Sequence, residues 1–154
     1  MARKTAQKSA ARQLAVEAAR IAEDTNAHDI VVLDLRGVSP VTDYFVICTG
    51  TSGPQMRAVA DRVSEYGRSV GQSPWHTAGT DGAAWAILDF VDVVVHVFGE
   101  SHRKYYDLEL IWGAAPRVRW KRRAARAGAA QQTKTPGRTA RPAGSDSDEP
   151  SRTA

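Results

Sequence analysis

The chain has 154 residues, 42% of them hydrophobic and 25% charged, with a formal net charge of +4. That is enough for one domain with a real core and not comfortably for two. No apolar run approaches the roughly 18–20 residues that cross a membrane, and Cys48, the one cysteine, excludes an intrachain disulfide or a thiolate metal cluster.

In chain order, residues 1–9 read as a flexible basic lead-in. No apolar stretch of the secretory kind follows "MARKTAQKSAARQ", so a cytoplasmic protein is expected. Residues 10–25 predict a helix with Ala11, Leu14, Ala15, Ala18, Ile21 and Ala22 on one stripe. "DIVVLDL" (29–35) and "DYFVICT" (43–49) are β-branched runs suited to buried strands. After the loop "GTSG", residues 53–71 predict a second helix. Met56, Val59, Ala60, Val63 and Val70 form its apolar face, Ser52 with Gln55 a capping box, and Pro54 sits in its first turn. "PWHTAG" has room for a short strand. "AWAILDF" (84–90) and "DVVVHVF" (92–98) lie so close that they form a hairpin around Val91 and Asp92. Residues 101–112 predict a third helix. This order describes an α/β domain over residues 10–112, a single mixed β-sheet flanked by helices.

Beyond Trp112 large aliphatics almost vanish. Residues 113–154 carry 10 Lys/Arg against 3 Asp/Glu, whereas residues 1–112 carry 11 against 14. The basic pI therefore belongs to residues 113–154, expected as a largely disordered tail. Disorder is expected from about residue 124, where too little apolar surface offsets chain entropy, while residues 116–126 either continue the last helix or form a short basic arm. Within it Arg117, Arg119, Trp120, Lys121, Arg122 and Arg123 form a basic arm. Phosphate contact, with Trp120 stacked on a base, is one reading of that arm, and a solubilising tail is the other.

No catalytic constellation emerges. Gly50 and Gly53 fit neither a P-loop, which needs a following Lys, nor a dinucleotide turn, which needs a third glycine. A nucleotidyltransferase would also need an Asp-x-Asp pair for Mg²⁺ on the next strand. Asp89 and Asp92 are three apart at a hairpin, the wrong spacing for one strand face. A plain strand–helix turn is expected for the loop. His28, His76, His96 and His102 show no zinc-type spacing, and His96 reads as a hydrogen-bonded sheet residue. Cys48 reads as a small core hydrophobe. No metal or cofactor is expected. Strand alternation puts Trp85, Ile87 and Asp89 on one face. Trp85 is then either an anchor for a protein partner or a residue covered by the third helix.

Several stretches together carry a resemblance. They are Thr42-Asp43, Cys48-Thr-Gly-Thr-Ser52, Leu88-Asp-x-x-Asp-Val-Val-Val-His-Val-Phe98 and Tyr106-x-Leu-Glu-x-x-Trp112. Over residues 10–112 the chain resembles the bacterial ribosomal silencing factors, the RsfS/Iojap family. The resemblance implies a fold similar to a reduced nucleotidyltransferase core that has lost its chemistry, and a protein that is not an enzyme. It implies binding to the large ribosomal subunit at its large-subunit protein number fourteen. There it would block association with the small subunit and repress translation under nutrient limitation. It further implies homodimers when free, and a partner surface on Trp85, Val91, Asp92, Val94 and Tyr106 with Asp89 and Arg103 as rim charges. Glycine commonly stands in the family where this chain has Val91, which argues against a positive-φ turn here. The alternatives are a nucleotidyltransferase-like nucleotide-binding protein and an RNA-binding adaptor acting through the basic tail.

Overall fold

A computed structural model describes residues 2–80 and 84–122. The chain runs α1 (Ala2–Asp24), β1 (His28–Asp34), β2 (Tyr44–Gly50), α2 (Gly53–Ser69), β3 (His76–Ala78), β4 (Trp85–Asp89), β5 (Val93–Gly99), α3 (Glu100–Tyr106) and α4 (Leu108–Ile111). The strands form one sheet in the order β1-β2-β5-β4-β3. β2 and β5 pair in parallel; the other neighbours are antiparallel. The expected mixed α/β sheet is therefore present.

The period-2 alternation of the strands splits the core between the two faces. Val46 and Cys48 of β2, Ala86 and Leu88 of β4, and Val93, Val95 and Val97 of β5 face α1 and α2. Those helices answer with Leu14, Ala15, Ala18, Ala22, Met56, Val59 and Val63. Each fully buried Leu or Val contributes about 1.5–3 kcal/mol. The opposite face carries Ile47 and Phe98 with half-buried Phe45 and Trp85. It is covered only at one end, by Leu108, Trp112 and Ala115.

Three elements differ from expectation. Helix α1 starts at Ala2 rather than near residue 10, because Ala, Arg, Lys and Gln are good helix formers and neither Gly nor Pro interrupts them. The predicted third helix breaks at Asp107, which takes φ 40° and separates α3 from α4. On a continuous helix residues six apart stand about 240° round the axis. The break returns Glu109 to Arg103, whose Nε and Nη2 donate to its Oε1 at 2.9 and 2.7 Å.

The third difference is the segment 113–122, expected in the tail. It packs on the domain. Asp34 N–H donates to the Pro116 carbonyl and Val118 N–H to the Val32 carbonyl, each at 2.8 Å, so the segment runs along the outer edge of β1. Ala115, Val118 and Trp120 point inward and are buried. Three apolar residues suffice because an open strand edge supplies the missing backbone partners. Arg123 and the remainder of the expected tail lie outside the described residues.

Candidate functional site

The loop between β2 and α2 is closed by its own side chains. Ser52 Oγ accepts from Gln55 N–H at 3.2 Å, and Gln55 Oε1 accepts from Thr51 N–H at 2.6 Å. Met56 lies directly over Gly50, where an added Cβ would fall 2.3 Å from its Cγ. The Thr51 and Gln55 N–H groups are thus taken up by a helix cap. Cys48 beneath it is buried, and that burial pushes its thiol up to about 12, far from a reactive thiolate. Among the described residues no group of three His, Cys, Asp or Glu is placed to hold a metal ion.

The uncovered end of the second sheet face forms a concavity of about 720 Å³. Phe45, Ile87 and Val94 make its floor. Pro40 and Val41 of the β1–β2 loop, Trp75, Val91 and Trp112 make its walls. Trp75 is 76% exposed, and Val41 also stands in solvent. A concave, largely apolar patch of this kind on a protein surface is a candidate interaction site.

The β4–β5 hairpin forms its rim. Val91 adopts φ 76° although it is β-branched, so the positive-φ turn exists here without glycine. Phe90 N–H donates to the Val93 carbonyl at 2.8 Å, and Asp92 N–H to the Phe90 carbonyl at 3.0 Å. Asp89 Oδ1 accepts from Val91 N–H at 2.7 Å. The Asp92 carbonyl takes N–H donors from Asp43 and Tyr44, each at 3.0 Å. These bonds hold Val91 in a conformation that costs on the order of 1–3 kcal/mol and leave its side chain 53% exposed.

His96 sits at the deep side of the concavity. Trp85 Nε1–H donates to its Nδ1 at 3.2 Å, while Phe45 meets it edge-on at 4.6 Å. Burial lowers its pKa to about 4.

The structure thus brings Asp89, Val91 and Val94 together on the concavity, with Asp92 on the same hairpin. It does not leave Trp85 free. That indole is half-buried, stacked on Phe98 at 4.8 Å and roofed by Tyr106 at 4.5 Å. Trp85 and Tyr106 make an aromatic stack beside the site, so α3 does cover Trp85. Arg103 is not a rim charge. Its side chain is 11% exposed and binds Glu109 and, at 2.8 Å, Thr49 Oγ1. Trp120 is 8% exposed, with its carbonyl held by Arg20 Nε at 2.8 Å, so it cannot stack on a base. Arg122 forms a two-pronged pair with Asp24, and Arg117 pairs with Glu109 at 3.6 Å. Arg119 and Lys121 are exposed on the outward side of the segment.

Sequence reasoning missed Trp75, Val41, Phe45, Thr42 and Trp112. Strand alternation could have supplied Phe45, which shares a face with Ile47 and His96. Thr42 and Trp112 stand in the motifs that carry the resemblance, whereas Val41 and Trp75 carry no such signal.

The sequence matches the family described as "Ribosomal silencing factor during starvation" over residues 8–146. It is 43% identical over 99 residues to the ribosomal silencing factor RsfS of Bacillus subtilis, covering 64% of this chain and 84% of that protein. It is 40% identical over 106 residues to the RsfS of Halalkalibacterium halodurans, covering 69% and 88% respectively. A crystal structure of a Chromobacterium violaceum protein superposes with a TM-score of 0.62 at 30% identity, covering 80% of this chain and 95% of the other.

Proposed function

This chain belongs to the ribosomal silencing factor family, and from that premise we propose that it represses translation by occupying the large ribosomal subunit. The apolar concavity docks on the subunit's protein number fourteen and excludes the small subunit sterically. Repression under nutrient limitation follows from mass action on the free large subunit, with no bond made or broken. The observation that carries this reading is the concavity itself, open on the sheet face away from α1 and α2 and rimmed by a strained hairpin. Backbone strain held in place by side-chain bonds is a feature of functional surfaces. Free chains pair through the same apolar patch, which removes it from water until a subunit is available. The protein works in the cytoplasm, where the subunits are.

A secondary contact is assigned to Arg119 and Lys121, exposed on the outward side of a segment whose Val118 and Trp120 are fixed inward. They meet rRNA phosphates and add salt dependence without base recognition.

Sedimentation of purified subunits with this protein tests the main reading. Wild type should travel with the large subunit and suppress whole-ribosome formation. Trp75→Ala, which removes an exposed wall of the concavity without disturbing the core, should weaken both effects about tenfold or more. Normal subunit association at saturating wild-type protein would overturn the reading.

A further inference from the structure

The indole of Trp85 can only donate a hydrogen bond. It donates to His96 Nδ1, so Nδ1 carries the lone pair and the proton of the neutral ring sits on Nε2. Nε2 lies further from Cβ than Nδ1 and is directed away from the sheet. His96 is 5% exposed, and its Nε2 has no hydrogen-bond partner. Thr42, 6% exposed, also lines the concavity, and its Oγ1 has none either. Two of the three buried side-chain polar atoms without a partner among the described residues therefore belong to the walls of one apolar groove. Each such atom is unfavourable where it stands, and both are relieved by one occupant bearing oxygen acceptors. The rim names the occupant's charge. Asp89 lines the groove, Asp92 stands on the same hairpin, and the hairpin itself, residues 89–93, carries no cation.

We propose that the groove is a specificity pocket for a basic protein segment that inserts an apolar side chain together with a carbonyl or side-chain oxygen, and that His96 Nε2–H, supported by Thr42, donates to that oxygen. This rests on the docking reading above and names what the docked surface must offer. A partner of the same shape that lacks the oxygen leaves the two donors unpaired and is rejected.

The test is the affinity of the full chain for purified large subunits at fixed salt, for wild type, His96→Gln, His96→Asn and His96→Phe, each checked by thermal melting. The Gln amide nitrogen reaches the position of Nε2, whereas the Asn amide reaches that of Nδ1. The donor role predicts that His96→Gln stays within about threefold of wild type. His96→Asn and His96→Phe should weaken binding about tenfold or more, the loss of one hydrogen bond with its partner left unpaired. Thr42→Val, which keeps shape and removes the hydroxyl, should add a smaller loss. If His96 only fills space, His96→Phe binds at least as well as wild type and the amides fall together; that order overturns the proposal. Equal binding by all folded variants overturns it while leaving the docking reading intact. Failure of the wild type to bind large subunits overturns both.

Discussion

At residue scale two side chains sit in states they would not choose alone. Val91 at φ 76° is held by the Asp89 carboxylate and the hairpin bonds around it. Val91→Gly should raise unfolding free energy by about 1 kcal/mol or more in chemical denaturation, through relief of that strain. The same change should weaken large-subunit binding, because an exposed apolar contact is lost. His96 has its pKa lowered from 6.5 to about 4 by burial. The unfolded chain therefore takes up this proton before the folded one does. The stability concerned is fully present above pH 6.5 and is lost progressively as pH falls towards 4. That loss reaches about 3 kcal/mol. A denaturation series across this window should show the slope in wild type and a flatter profile in His96→Phe.

At the scale of elements, the segment after α4 completes the sheet rather than trailing from it. It covers the outer edge of β1 and seats Trp120 against α1. A chain ended after residue 112 should lose several kcal/mol and expose a strand edge prone to aggregation. A chain ended after residue 122 should melt close to the full-length protein. Thermal melting and light scattering of the two truncations check this. The α3–α4 break depends on Glu109, which receives both Arg103 and Arg117. Glu109→Ala leaves the largely buried Arg103 without its carboxylate and should cost about 2 kcal/mol by denaturation. Both features were hard to read in advance. The residues from Arg117 to Arg122 look like a solvated basic run until a strand edge elsewhere supplies their backbone partners. Asp107 has ordinary helical neighbours, and only a partner two residues further on gives its left-handed turn a purpose.

For the whole molecule, charge and apolar surface are segregated. Residues 1–112 are mildly acidic, with Asp89 at the groove rim, and the basic excess begins at the segment that edges β1. If Arg119 and Lys121 meet phosphates, the double charge reversal Arg119→Glu with Lys121→Glu should lower the salt slope of large-subunit binding by about two. Groove variants such as Trp75→Ala should lower affinity at every salt concentration and leave the slope unchanged. Titrations at several ionic strengths separate the two contributions.

By itself the sequence determined most of the order of helices and strands, the mixed sheet, the two-sided alternation of β4 and β5, and the capping box after the glycine loop. All of these follow from local periodicity, capping chemistry and spacing. Its motifs carried the family resemblance as well. Only the tertiary structure decided which aromatics are free. Trp75 stands in solvent while Trp85 and Trp120 are covered, because cover comes from α3 and α1, elements remote in the chain or turned by a break no pattern announces. It alone decided that Arg103 is an internal clamp and that His96 and Thr42 converge unpaired on one groove. A hydrogen-bond partner is a fact of three-dimensional proximity, and no residue type or spacing states whether one will be there.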